Sequence, residues 1–187
     1  MARSLLVRSL LVRSPMSRIL GIDPGSRITG YGVVDMVSGR ARHVASGSLK
    51  LPEVEIPERL LALFDLLSTV IEAHRPEEVA IEKIFFHKNA ASALVLGQAR
   101  GVALLVAARL ILPIHEYSPT TIKQAVVGRG HADKAQVQHM VRLLLSLPEN
   151  PAPDAADALA VALCHGHTRA TVARIPGVSG TRAGRWR

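Results

Sequence analysis

The spacing of apolar and polar positions changes several times along the chain. Arg18 to Asp23, Thr29 to Met36 and Arg42 to Leu51 are short, rich in β-branched and apolar residues, and separated by Pro-Gly-Ser and Ser-Gly-Arg. Turn residues between such runs predict an antiparallel meander. From Pro57 to Pro76 the period becomes helical, with Leu60, Leu63, Phe64, Leu67, Val70 and Ile71 on one face. One proline suits the first helical position and the other stops the helix. Glu78 to Ile84 is short and apolar up to Glu82, which predicts a central strand with an acid near its end. Ala90 to Leu110 then carries helix formers, and its Gly97 and Gly101 would let another backbone, or the protein's own sheet, approach closely.

Pro113 to Pro119 predicts a further strand, and Thr120 to Val127 a short helix ending in the turn Gly-Arg-Gly-His. A helix over Asp133 to Leu147, the proline-bounded segment PENPAPD and a last helix from Asp154 to about His165 complete the order. Strands lead and helices follow, a mixed α/β plan.

The chain has 187 residues, which suits one core. Its net charge of +8 attracts polyanions such as nucleic acid, although part of the excess is terminal. The stretch from Arg169 to Arg187 has five arginines and no acid. The lone cysteine, Cys164, lies in an apolar helical run and fits a buried thiol in a reducing cytoplasm. No uninterrupted apolar run of about 18 residues appears, so no membrane span is expected. Residues 1–15 repeat RSLLV twice in tandem ahead of Met16, with apolar pieces too short for a secretory signal. The expected organisation is therefore an extension over 1–15, one compact domain over 16–167 and a basic flexible tail over 168–187, with Met16 as the expected start.

Four acids stand out. An aspartate before Pro-Gly, as at Asp23, ordinarily caps a turn. Glu82 ends an apolar strand, where a solvated carboxylate sits at the sheet rim. Asp154 alone reads as a helix N-cap, its oxygen accepting first-turn amides at the positive helix end. Asp157 is three residues on, so two like charges share a helix face among alanines, which suggests a hard cation held by oxygen ligands.

These residues carry a resemblance. ILGIDPGSRITGYGVV, VAIEKIFFHKNAASALVLGQARGVAL, SPTTIKQAVVGRGHADKAQVQHMV and PAPDAADALAVAL resemble, in order and spacing, the RuvC family of Holliday junction resolvases, over about Arg18 to His167. The resemblance implies a ribonuclease H-like fold, an α/β architecture with a five-stranded mixed sheet flanked by helices. It also implies a cytoplasmic homodimer that cuts two symmetry-related strands of four-way junction DNA in homologous recombination and repair, using four acids and Mg2+. Carried onto this sequence, the acids are Asp23, Glu82, Asp154 and Asp157, with two Mg2+ ions per site expected and Mn2+ as a substitute. The physical requirement agrees. Phosphodiester hydrolysis needs an activated water and a neutralised leaving oxygen, and oxygen-only ligands fit Mg2+ or Mn2+ rather than Zn2+.

Further residues follow from the same likeness. Phe85 matches the family's junction-inserting aromatic, where a ring could stack on or wedge between unstacked bases. Phe86 and Lys88 are candidate DNA contacts beside it, with His87. Lys123 and Lys134 match basic residues near the catalytic centre, while Arg27, Arg100 and Arg129 are candidates for a phosphate track. His131 reads as a turn cap. The likeness also suggests RuvA and RuvB as partners. A two-fold dimer would present two sites to two equivalent strands, with the helix of Gly97 and Gly101 as the candidate contact.

Three rivals remain at this point. A related ribonuclease H-like nuclease acting on RNA or other branched DNA shares the early Asp-Pro-Gly turn, but such small YqgF-type chains lack counterparts of LGQARG and ADKAQVQHM. An actin-like phosphotransferase shares a Gly-Ile-Asp-x-Gly turn but needs two large lobes. A non-catalytic DNA-binding module predicts that the acids are dispensable.

Overall fold

The computed structural model describes residues 16–83 and 90–172, and the backbone of residues 181–182 and 185–186. Its centre is a five-stranded sheet of order β3-β2-β1-β4-β5. The strands are β1 (Met16–Asp23), β2 (Ile28–Val37), β3 (Arg40–Lys50), β4 (Glu78–Glu82) and β5 (Ile114–Tyr117). The first three form the expected antiparallel meander, while β4 runs parallel to both β1 and β5. The sheet is therefore mixed, and β1 and β4 lie together at its centre.

Side chains alternate across the pleat, so the two faces can be read from the strands. Ile19, Val34, Met36 and Ala80 face one core, which is covered by α3 (Pro119–Val127), α4 (Lys134–Leu144) and α5 (Pro153–Val172). Leu20, Ile22, Val33, Val79 and Ile81 face the other, covered by α1 (Ile56–His74) and α2 (Ala90–Arg109). The helix ends obey local chemistry. Asp133 and Gln136 form a reciprocal capping box at the start of α4. Arg75 closes α1 in the left-handed conformation, its N–H donating to the Ile71 carbonyl at 2.7 Å.

Helix α5 lies unusually close to β1 and β2. A Cβ placed on Gly21 would sit 2.7 Å from the Ala162 nitrogen, and one on Gly30 would sit 2.7 Å from the Asp154 carbonyl carbon. Only glycine permits that approach. The five alanines in the first half of α5 (Ala155, Ala156, Ala158, Ala160 and Ala162) are all buried, as small residues must be where a helix presses on a sheet.

Three expectations change. The last helix does not stop near His165 but continues to Val172, so the first residues assigned to a flexible tail are helical. His165 and Gly166 are polar or small because of what they face, not because the helix ends there. Farther on, Thr181–Arg182 and Arg185–Trp186 pair as a short antiparallel hairpin, with β6 and β7 as its strands. Finally, α2 is long and apolar enough to cross a membrane by length and composition alone, although Gln98 and Arg100 interrupt it. Residues 1–15 lie outside the described residues.

The tight seat of α5 sets a stability test. Gly21→Ala should lower the chemical-denaturation midpoint by the equivalent of about 1–3 kcal/mol, the cost of overpacking. An unchanged midpoint would mean that α5 rides freely over β1.

Candidate active site

Alternation places two of the acids on one face. Asp23 follows Ile19 by four positions and Glu82 follows Ala80 by two, so both point towards α5. The parallel register pairs Gly21 with Ala80 and Ile22 with Ile81, and one step further brings Asp23 beside Glu82. The two side chains are hydrogen-bonded to each other. The second turn of α5 supplies Asp157 opposite them, while Asp154 lies in the first turn, where the helix macrodipole favours a negative group.

A cavity of about 280 Å³ is lined by Asp23, Glu82, Lys123, Lys134 and Asp157, with Ile122, Val137 and Ala160 among its apolar walls. Lys123 comes from α3 and Lys134 opens α4, so both helices direct a cation at the acids. Lys134 Nζ donates to Asp157 Oδ2 at 3.2 Å. Its ammonium is held charged above the usual lysine range, first by the Asp157 charge and then by that hydrogen bond.

Asp154 is not in the cavity wall. It stands at the rim, where Ser48 Oγ of β3 donates to its Oδ2 at 3.4 Å, and its charge reaches Lys134. Three of the four acids thus converge directly and the fourth lies one helical turn away. Ser48 carried no signal in the sequence, because a lone serine in a strand has no distinctive spacing.

The acids outnumber their counter-charges. Burial first, and then the charges of Glu82 and Asp157, push the Asp23 carboxyl up to about 8. Burial and Asp157 also raise Glu82. The pair therefore shares a proton. An all-oxygen donor set that keeps a proton near neutrality for want of positive charge is what a divalent hard cation would relieve, so the residues fit such an ion.

Residues 19–165 match the family profile of RuvC, crossover junction endodeoxyribonuclease. The chain belongs to the RuvC family. The RuvC crossover junction endodeoxyribonuclease of Aeromonas hydrophila is 54% identical over 173 residues, covering 92% of this chain and all of that protein. That of Halorhodospira halophila is 57% identical over 156 residues, covering 82% of this chain and 92% of that one. Among solved structures, Thermus thermophilus RuvC in complex with Holliday junction substrate superposes with a TM-score of 0.78 at 37% identity, covering 83% of this chain and 96% of that one. The yeast mitochondrial Holliday junction resolvase Ydc2 shares the fold, with a TM-score of 0.62 at 13% identity, covering 82% of this chain and 81% of that one. The fold is thus ribonuclease H-like, and the actin-like reading falls away.

The remaining RuvC-derived candidates are placed unevenly. Arg27 is exposed, within 3.5 Å of Glu53, and lines a larger cavity of about 710 Å³ that contains none of the four acids. That cavity mixes Arg27, Lys50 and Arg59 with Glu53, Glu55 and Glu58, so size does not mark the chemistry here. Arg100 is ion-paired with Glu116 and partly buried, so its charge is already balanced within the chain. Arg129 is exposed in the turn between α3 and α4. His131 is exposed in the same turn, beside the Asp133 cap of α4. Phe85, Phe86, His87 and Lys88 lie outside the described residues.

The shared proton has a measurable consequence. An unfolded Asp23 releases its proton near the ordinary 3.8, whereas the folded protein keeps it up to about 8. Over that interval the native state binds more protons, so metal-free stability should fall as pH rises and level off above it. Thermal melts in chelator should show this slope for the parent chain. Asp23→Asn should flatten it and leave the metal-free protein more stable at the alkaline end.

Proposed function

We propose that this protein resolves four-way DNA junctions by paired nicking at a site built from Asp23, Glu82, Asp154 and Asp157, which together hold two Mg2+ ions. As a RuvC family member the chain is a crossover junction endodeoxyribonuclease, a metal-dependent hydrolase of phosphodiester bonds in recombination and repair. The observation that carries the assignment of the site is the meeting of Asp23, Glu82 and Asp157 in one cavity with two lysines.

When bound, the ions supply an activated water and neutralise the leaving oxygen. The chain's own part is electrostatic and positional. Asp23 gives up its shared proton as the site loads, so proton and metal compete below about 8. Ser48 orients Asp154 at the rim. Lys134 leaves Asp157 for the scissile phosphate when DNA arrives, its side chain being four-fifths exposed and able to swing. Lys123 stands on the α3 side of the same cavity and stabilises charge on the phosphoryl oxygens. Phe85 serves as the inserting aromatic, with Phe86 and Lys88 beside it and Arg27 and Arg129 along the phosphate path. Arg100 holds Glu116 and contributes indirectly.

The working unit is a homodimer joined through α2. Leu94, Gly97, Gly101, Leu105 and Ala108 are exposed and recur at three- and four-residue steps along one face of this helix. Nothing lies within 4 Å of where a Cβ of Gly97 or Gly101 would be, so these glycines do not serve packing on the protein's own sheet. A small, apolar stripe of that kind is covered by a second copy of itself across a two-fold axis. RuvA and RuvB are the expected branch-migration partners, in a reducing cytoplasm that leaves the buried Cys164 free.

Incubating the protein with a mobile four-way junction, duplex DNA and structured RNA tests the reading. In Mg2+ or Mn2+ the junction should receive symmetric paired nicks, whereas Ca2+ should support binding without incision. Asp23→Asn or Asp157→Asn should reduce cleavage by about a hundredfold or more while junction binding persists. Preferential cutting of RNA or duplex would favour the related nuclease reading instead. For the dimer, a Gly97→Glu, Gly101→Glu double variant should sediment as a monomer and yield single rather than paired nicks.

A further inference from the structure

Strand β4 and helix α5 run in opposite directions and face each other twice. At one end Glu82 meets Asp157. At the other, about 13 Å back along the strand by its rise per residue, Glu78 meets His165. Position 78 has the same parity as 80 and 82, so its carboxylate also points towards α5. The neighbouring strand β5 adds His115 and Tyr117, again on that face.

Here Glu78 Oε2 lies 2.6 Å from His165 Nε2 and 3.4 Å from His115 Nε2. The two imidazoles are stacked with centroids 4.1 Å apart. All three donor atoms lie within 4.8 Å of one another, the only such group of three among the described residues. We propose that Glu78, His115 and His165 form a second metal site, selective for a divalent transition ion of which Zn2+ is the best match, remote from the carboxylate site.

The donor types decide the class of ion. Two imidazoles and one carboxylate favour Zn2+ and its transition-metal neighbours over Mg2+, which prefers oxygen alone. Tetrahedral bonds of about 2.0–2.1 Å put neighbouring donors about 3.3–3.4 Å apart. The Glu78–His115 separation already matches that edge. The Glu78–His165 hydrogen bond must open by less than about 1 Å to do the same, and the two rings, 24° from parallel, must rotate out of their stack so that both Nε2 lone pairs converge on one ion.

The surroundings supply the outer contacts that metal-binding groups use. Tyr117 Oη is 2.7 Å from His165 Nδ1. With the site empty, the Tyr117 hydroxyl donates to Nδ1 while Nε2–H donates to Glu78. On coordination the imidazole proton sits on Nδ1 and donates to the Tyr117 oxygen, so the ring binds as a neutral ligand and Tyr117 fixes its orientation. Arg169 is ion-paired with Glu78 Oε1 and also contacts Ser17, which steadies the carboxylate while leaving Oε2 to the ion. Its charge opposes a cation, so the ion should exchange with chelators rather than be trapped. His165 is almost wholly enclosed, but a quarter of the His115 side chain is exposed, which gives an entry path and room for a water as fourth ligand. An ion here would join β4, β5 and α5 at the end of the fold away from catalysis.

Full-length protein in excess Mg2+, which saturates the oxygen-ligand site, should take up a single Zn2+ per chain by calorimetry, with a rise in melting temperature. Co2+ as a probe should give the visible absorption of a tetrahedral or five-coordinate centre. His115→Phe and Glu78→Gln should each weaken binding by at least about tenfold, and Tyr117→Phe by about 10–100-fold. An Asp23→Asn, Asp157→Asn double variant should bind Zn2+ as the parent does. His115 is partly exposed, so its replacement should leave the fold intact by circular dichroism. No uptake in Mg2+, uptake undiminished in folded His115→Phe, or uptake lost in the Asp23→Asn, Asp157→Asn protein would overturn the proposal.

Discussion

The position of α5 against β1 and β2 is the constraint on which the rest depends. With side chains at Gly21 and Gly30 the helix would have to lift off the sheet, because its own backbone occupies the space a Cβ needs. Lifting it would draw Asp154 and Asp157 away from Asp23 and Glu82 and open the core that Leu159 and Leu163 fill. The glycines contribute almost nothing by themselves. They allow the helix to bury an alanine-rich face at backbone distance, and the carboxylates follow from that distance.

Close approach has an electrostatic cost, and the two ends of α5 meet it differently. At the catalytic end, Asp23 and Glu82 share a proton, and Lys134, mostly in solvent, is a weak counterweight. Each of these acids stays available because nothing inside the protein satisfies it fully. At the far end, burial pushes Glu78 up, but hydrogen bonds from His115 and His165 and the Arg169 charge more than reverse this and hold it well below the usual carboxylate range. Burial likewise holds His165 below the ordinary histidine value, so its ring stays neutral. The same strand and helix thus carry one frustrated cluster and one compensated cluster, and the frustrated one is where a hard cation and phosphate must enter.

Much of this was legible because local rules and tertiary needs coincide. The meander strands appear within two residues of where their turn signals put them, and α1 begins and ends beside its prolines. Asp23 and Glu82 were visible as acids that interrupt apolar runs, and Asp157 as a like charge with no local partner. The end of α5 was not legible. His-Gly-His looks like a polar stop, yet His165 is buried against Glu78, and Gly166 admits the Met36 side chain. The direction of Gly97 and Gly101 was equally hidden, because α2 is apolar on both its inner and outer faces and has no polar stripe to orient it. Glu78 gave no sign of its role, since a glutamate opening a strand is ordinarily solvated.

The two clusters also constrain each other through register. Glu78 and Glu82 are four residues apart in β4, and Asp157 and His165 are eight apart in α5. At about 3.3 Å and 1.5 Å per residue these spans are close to 13 Å and 12 Å, so one alignment of strand and helix satisfies both ends. A slip of one residue in β4 would turn Glu78 and Glu82 together onto the α1–α2 face, into an apolar core with no partner for either. The ion-paired end therefore selects against the very misregister that would dismantle the catalytic end. It does so from a position where its own charges are satisfied and the catalytic acids are left free to titrate.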